Sequence, residues 1–334
     1  MLYNQFSFQQ IFGVWVDSRS DSWTLPPRKL NLLIEFMETC LDLPALTINR
    51  LQRLMGKINY LKQLDRTFAT VTSFLSNQLA TYLILHPDWY SVAARKQVPD
   101  IVLTEASRQD VLLVRGILKF LLDRQFPLEH LVWQPLAVCL FTDASGLASE
   151  CVGGLLLVRP TRAFSFPLSV SLCASRDGHA KDVMLQFRTT VLELLPVWGA
   201  LLLFAPQVAH CRVELFIDNN AAVRALVKGT SKDYCTTLLV RLIAFTASVL
   251  DVALVPTHVK RRSSWPAAVA DDLSHAQTES LKLFDKDAIY SWVDDLQPLC
   301  LWTENVAPED PSPLFISILN YLRKFRAVSY LVSM

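Results

Sequence analysis

Four acidic residues sit where an α/β chain commonly places chemistry. Asp143 closes the apolar run of residues 136–142. Glu193 lies in the nearly all-apolar stretch 190–204, Asp218 closes Val213-Glu-Leu-Phe-Ile217, and Asp271 lies in Ala268-Val-Ala-Asp-Asp-Leu-Ser-His275. Strand ends and helix starts converge at one edge of an α/β sheet. Carboxylates gathered there repel one another and raise each other's pKa unless a cation neutralises them. The cation suited to an all-oxygen set is Mg²⁺ or Mn²⁺. Two such ions about 4 Å apart activate water and stabilise the leaving oxygen in phosphodiester hydrolysis.

Each acid also has a plainer use. Thr190-x-x-Glu193 fits a capping box, and Asp218 can cap the helix after it. Asp143 can serve a turn. Asp271 and Asp272 can sit as surface acids in a first helical turn. Order and spacing of the four together favour the chemical reading, with Asp271 or Asp272 as the last member. His258 ends the last strand, and Lys260, Arg261 and Arg262 come shortly after it. That basic run is either a solvated turn or a set of phosphate contacts. Arg50, Arg53 and Lys57 fall on one arc of a helix whose other face is apolar, a second basic candidate.

The elements that must position these residues are read from periodicity. Residues 11–18 read as a short strand and turn. Helical patterns cover 28–43, 47–64, 66–85 and 104–122, so 25–130 reads as an all-helical module. From residue 135 the pattern changes. Strands are predicted at 136–142, 153–158, 162–173, 212–217 and 251–258, with helices at 190–204, 221–227, 234–249 and 266–277. The resulting order, β-β-β-α-β-α-α-β-α, predicts an α/β domain on a mixed five-stranded sheet. The tail, 278–334, alternates short apolar pieces with acids and prolines and has no assigned role.

The chain has 334 residues, 51% of them hydrophobic and 19% charged, with a mean hydropathy of +0.28. That excludes a mostly disordered protein. A net charge of +1 gives no bulk signal for a nucleic-acid partner, so that case rests on local patches. Seven cysteines without a C-x-x-C pair form neither a zinc frame nor a disulfide scaffold, which implies a reducing, intracellular setting. No signal-peptide pattern opens the chain. The most membrane-like stretch, 191–209, carries Glu193, Pro196 and Pro206, so a buried helix is expected there and no membrane partner.

Phe141-Thr-Asp-Ala-Ser145, Leu192-Glu-Leu-Leu195, Phe216-Ile-Asp-Asn-Asn220, and His258-Val with Ala270-Asp-Asp-Leu-Ser274 resemble the ribonuclease H domain of retroelement reverse transcriptases. The resemblance spans residues 136–277. Upstream, Phe12-Gly-Val-Trp-Val-Asp17, Leu25-Pro-Pro-Arg-Lys29 and Leu51-Gln-Arg-Leu-Met-Gly-Lys-Ile-Asn59 are similar to the segment after the polymerase palm, most closely in DIRS-like elements and more loosely in long-terminal-repeat elements. The implied layout is a palm-end remnant at 1–24, a helical thumb or connection-like module at 25–134, a ribonuclease H-like domain at 135–277 and the tail at 278–334. The palm, which would precede residue 11, is missing, so polymerase activity is not expected from this chain. Tyr290-Ser-Trp-Val-Asp-Asp-Leu296 is superficially palm-like but lies in the wrong order. Ser264-Trp-Pro-Ala-Ala268 replaces the asparagine usual before the last Ala-Asp.

The resemblance implies metal-dependent hydrolysis of the RNA strand of an RNA–DNA hybrid, leaving a 3′-hydroxyl and a 5′-phosphate. Two Mg²⁺ ions, with Mn²⁺ as a substitute, would be held by Asp143, Glu193, Asp218 and Asp271. Asp143 would bridge both ions, Glu193 and Asp218 would hold one, and Asp271 would help hold the other. His258 would assist proton transfer or product release. Arg50, Arg53, Lys57, Lys260, Arg261 and Arg262 would contact the hybrid, reading shape and 2′-hydroxyls. A missing palm or a full-length copy would be a further partner, and the chain would work in the cytoplasm or nucleus. Two alternatives remain: an inactive or co-opted nucleic-acid-binding fragment, and a nuclease or transposase that cuts DNA on the same fold.

Overall fold

The computed structural model describes residues 8–11, 14–17, 22–62, 67–88, 101–121, 126–127, 137–145, 151–167, 181–293 and 312–322. The chain divides into two compact units, 1–134 and 135–334.

In the first unit, β1 (Phe8–Ile11), β2 (Val14–Asp17), β3 (Ser22–Thr24) and β4 (Phe126–Pro127) form an antiparallel sheet in that order. The strand expected at 11–18 is found as β2, paired antiparallel with β1, and the stretch expected to be all-helical also supplies β4. The helices are α1 (Pro27–Asp42), α2 (Ile48–Lys62), α3 (Thr67–Thr70), α4 (Ser73–Leu85) and α5 (Glu105–Leu121). Pro26 and Pro27 open α1, where a missing N–H costs nothing. The apolar stripe of α2, Leu51, Leu54, Met55 and Ile58, is buried. The helix expected over 66–85 breaks after Thr70, and a distant side chain re-caps its second half. Asp110 of α5, fully buried, accepts the Leu75 N–H in the first turn of α4 at 2.8 Å. A carboxylate is favourable at that end of a helix.

The second unit is α/β, built on a six-stranded mixed sheet with flanking helices. Its strands are β5 (Ala137–Ala144), β6 (Cys151–Leu157), β7 (Arg162–Pro167), β8 (Arg212–Ile217), β9 (Ala253–His258) and β10 (Ile289–Trp292), in the spatial order β10-β7-β6-β5-β8-β9. The β5–β6 and β6–β7 pairs are antiparallel; β8, β9 and β10 join their neighbours in parallel. The expected five strands become six because Ile289–Trp292 of the tail pairs with β7. The palm-like segment beginning at Tyr290 thus starts within an edge strand.

The helices are α6 (Lys181–Leu203), α7 (Ala205–Val208), α8 (Asn220–Lys228), α9 (Tyr234–Val249), α10 (Trp265–Ser274), α11 (Glu279–Phe284) and α12 (Ser312–Leu322). Side chains alternate across a strand, and helices cover both faces. Ala163 packs in a cluster with Phe141, Leu155, Val269 and Leu273 beneath α10, whereas Phe164 meets Phe204 edge-on at the end of α6. Trp198 of α6, fully buried, donates its indole N–H to Thr246 of α9 at 3.0 Å. Among the described residues no helix is long and apolar enough to cross a membrane, and 191–209 forms the buried end of α6 together with α7.

The placement of α10 depends on a bare backbone. A Cβ on Gly153 of β6 would lie 2.5 Å from the Leu273 carbonyl carbon and 2.7 Å from the Ser274 nitrogen. The Ser165 hydroxyl also reaches the Leu273 carbonyl, at 2.6 Å. Helix and sheet therefore touch backbone to backbone, with neither side free to give. Gly153→Ala is expected to cost roughly 1–3 kcal/mol by overpacking, read as a lowered denaturation midpoint. Gly116→Ala, at a helix position with open space around its Cβ, should not destabilise.

Candidate metal centre

β5 and β8 run in parallel with Thr142 opposite Ile217, so Asp143 and Asp218 leave adjacent strands at the same level of one sheet edge. Glu193 enters from α6. One carboxylate oxygen from each of the three lies within 4.8 Å of the others, a group able to hold a metal ion. Asp143 and Glu193 are buried, with 4% exposure each, and Asp218 is half-buried. Glu193 Oε2 is buried and has no hydrogen-bond partner among the described residues. Leaving such an atom unpaired is costly, and a cation among the three acids would satisfy it. Asp143, Asp218 and Asp271 line a cleft beside the stacked rings of Phe141 and Phe216, whose centroids are 4.4 Å apart.

The plainer uses of these acids are taken by other residues. The α8 cap is Asn219, whose Oδ1 accepts from Ala221 and Ala222 at 2.9 and 3.0 Å, which leaves the Asp218 carboxylate for the cleft. α6 begins at Lys181, so Thr190 and Glu193 sit in mid-helix and form no capping box. Ser145 makes the polar links after β5, exchanging hydrogen bonds with Cys151, and Asp143 is within the strand. Asp271 lies in the second half of α10, on the buried side at 8% exposure; Asp272 is half-buried.

Asp271 stands outside the group of three and is linked to it through Arg261. Arg261 Nε lies 3.2 Å from Asp218 and 3.1 Å from Asp271, and its Nη2 lies 3.6 Å from Asp143. Arg262 Nη1 donates to Asp271 at 2.6 Å and Asp272 at 2.7 Å. The two arginines therefore face carboxylates of their own chain. Lys260 is exposed. His258, exposed, ends β9 with Nε2 2.9 Å from the Asp218 carbonyl oxygen. A carbonyl only accepts, so Nε2 carries the proton and Nδ1 is the basic nitrogen.

Sequence reasoning misses Ser274, although it stands about one helical turn beyond Asp271. Its hydroxyl lies 2.8 Å from Asp143 Oδ2 and 2.7 Å from the Asp271 carbonyl oxygen, tying β5 to α10. The basic arc of α2 belongs to the first unit. Arg53 and Lys57 lie over the ring of Phe36, 5.5 and 5.7 Å from its centroid, while Arg50 is half-buried.

Burial pushes the Asp143 carboxyl up to about 6; the Ser274 hydrogen bond and Arg261 oppose the rise, while Asp218 and Asp271 add to it. Burial also lifts Glu193 well above the usual carboxylate range, with the charges of Asp143 and Asp218 adding to it. No family model matches the chain, and no curated protein matches it. Fold and site by themselves define an α/β domain with a buried acidic triad suited to a cation.

A raised carboxyl destabilises the fold once ionised. As pH rises from about 4 to 6, the unfolded chain loses the Asp143 proton before the folded chain does, so stability falls across that window. Above it the cost is complete, at most about 3 kcal/mol. In a chelator, Asp143→Asn should therefore raise the thermal midpoint at pH 7, with the gain gone at pH 4. An equal gain at both values would show that the Asp143 charge is not the cause.

Proposed function

We propose that the second unit is a ribonuclease H-like nuclease domain that hydrolyses the RNA strand of RNA–DNA hybrids, as part of a retroelement reverse transcriptase. The observation that carries this reading is the meeting of Asp143, Glu193 and Asp218 at one sheet edge, with a buried oxygen of Glu193 unpartnered among the described residues. The six-stranded sheet is compatible with the five-stranded core implied by the resemblance, extended at its edge by β10.

Asp143, Glu193 and Asp218 would hold Mg²⁺ or Mn²⁺, with Asp271 joining once its arginine partners let go. The bound ions would supply water activation and stabilisation of the leaving oxygen. Asp143 is held by Ser274, which fixes its position relative to α10. His258 is oriented by its bond to the Asp218 backbone, with Nδ1 as the nitrogen that takes up a proton. Lys260 and the arginines of the same loop, once released, would meet backbone phosphates without reading base sequence.

A second reading, a nucleic-acid-binding domain without turnover, is favoured by Arg261 and Arg262. They already neutralise the acids, as a cation-free domain would require.

The test is cleavage of a labelled RNA–DNA hybrid in Mg²⁺ or Mn²⁺, with duplex DNA and duplex RNA as controls. The expected result is hybrid cleavage that a chelator abolishes and that Asp143→Asn or Asp218→Asn lowers by at least about 100-fold. Hybrid bound but uncut would support the binding domain. Cutting of duplex DNA in preference to hybrid would replace the proposed substrate.

A further inference from the structure

We infer that Arg261 and Arg262 form an internal counter-ion clamp that holds Asp271 out of the metal centre, and that divalent-cation binding and release of the 259–264 loop are one linked event. The inference rests on the acidic triad being a metal site and adds a device that controls access to it.

Both oxygens of the Asp271 carboxylate are taken. Oδ1 faces Arg261 Nε at 3.1 Å and Oδ2 faces Arg262 Nη1 at 2.6 Å. With a guanidinium charge beside each oxygen, the Asp271 carboxylate meets a divalent ion only against their repulsion, so Asp271 becomes a ligand by giving up at least one arginine. Arg261 is the more consequential, because it also touches Asp218 and Asp143. Its positive charge stands among three of the four acids, where a divalent ion would be repelled by it and would compete for the same oxygens.

The clamp is built to open. The side chains of Arg261 and Arg262 are about half exposed, at 53% and 52%, whereas that of Asp143 is 5% exposed and that of Asp271 is 11%. The cations can therefore swing into water while the acids stay. Their loop lies between two fixed points. Val259 N–H bonds to the Ile217 carbonyl at 3.0 Å, and α10 is pinned by its contact with Gly153. Between them Arg262 holds a left-handed backbone, φ 54°, unusual for a non-glycine residue and costly unless its ion pairs reward it. Release of the arginines would remove that reward and let the segment relax.

Binding linkage then fixes the signs. If cation and clamp exclude one another, part of the cation's binding energy goes into opening the clamp, and removing the clamp returns it. Arg261→Gln should bind Mn²⁺ about 10-fold more tightly than the unaltered chain, within the usual range of coupling between sites. Arg261→Lys keeps the charge but loses the planar group whose Nε lies by Asp218 and Asp271 and whose Nη2 lies by Asp143. It should therefore also bind more tightly than the unaltered chain, by less.

The experiment is Mn²⁺ titration by electron paramagnetic resonance of the free ion. It uses the full chain, Arg261→Gln, Arg261→Lys and Asp143→Asn, with hydrogen exchange of the 259–264 amides read with and without Mn²⁺. The expected result is tighter binding in both Arg261 variants, loss of binding in Asp143→Asn, and faster 259–264 exchange when Mn²⁺ binds the unaltered chain. Tighter binding in Arg261→Gln alone, with Arg261→Lys unchanged and no change in exchange, would mean charge acting at a distance and would overturn the clamp. So would equal or weaker binding in Arg261→Gln while Asp143→Asn abolishes it, leaving the metal centre standing. Mn²⁺ binding by no form of the chain would overturn the metal centre itself.

Discussion

The constraint on which the second unit turns is the confinement of negative charge at one sheet edge. Asp143 and Glu193 are withdrawn from water beside Asp218, and ions of like sign at such distances are costly in a medium less polarisable than water. Three things can meet the cost: protons on the buried acids, the guanidinium of Arg261, or a cation held by the triad. These are alternatives, since each supplies the same positive charge to the same oxygens. A site able to exchange one for another is balanced rather than rigid.

The surrounding elements are arranged to maintain this crowding. Parallel pairing of β5 with β8 brings two aspartates level, and α6, buried from Leu192 to Leu202, delivers the glutamate from one side. The short helix α10 approaches the other side so closely that only glycine fits beneath it. Ser274 and Ser165 then fasten that helix by hydroxyl contacts to Asp143 and to the Leu273 carbonyl. The acids are thus set by backbone placement, while the arginines that answer them extend from an exposed loop. This division sets buried acids against exposed counter-ions.

The first unit solves a different problem with ordinary means. Its helices bury apolar stripes, and its deeply buried Asp110 caps another helix. Arg53 and Lys57 lie their side chains over Phe36, so part of the basic arc on α2 covers an aromatic ring. A basic face deduced from spacing can serve packing and solvent at once.

The sequence by itself determined the periodic elements and the identity of the acids. Residues 212–217 and 234–249 were legible to the residue, because alternation marks the strand and a long, mostly apolar run without Gly or Pro marks the helix. Asp143 and Asp218 were legible because each ends an apolar strand. Tertiary structure decided what each polar group answers. Asn219 took the cap that Asp218 could have filled, since its carbonyl oxygen reaches two helix N–H groups without placing a charge there. α6 extended back to Lys181 through residues without a clear apolar period, so Glu193 moved from a helix start to a helix middle. Ile289–Trp292 became a sixth strand only because β7 offered a free edge, and no local pattern encodes an edge. Arg261 and Arg262 read from sequence as a solvated basic turn or as phosphate contacts; the fold brings them to the carboxylates of Asp143, Asp218, Asp271 and Asp272. Local sequence fixes period and charge; the partner of a charge is chosen by whatever the fold carries to within hydrogen-bond reach.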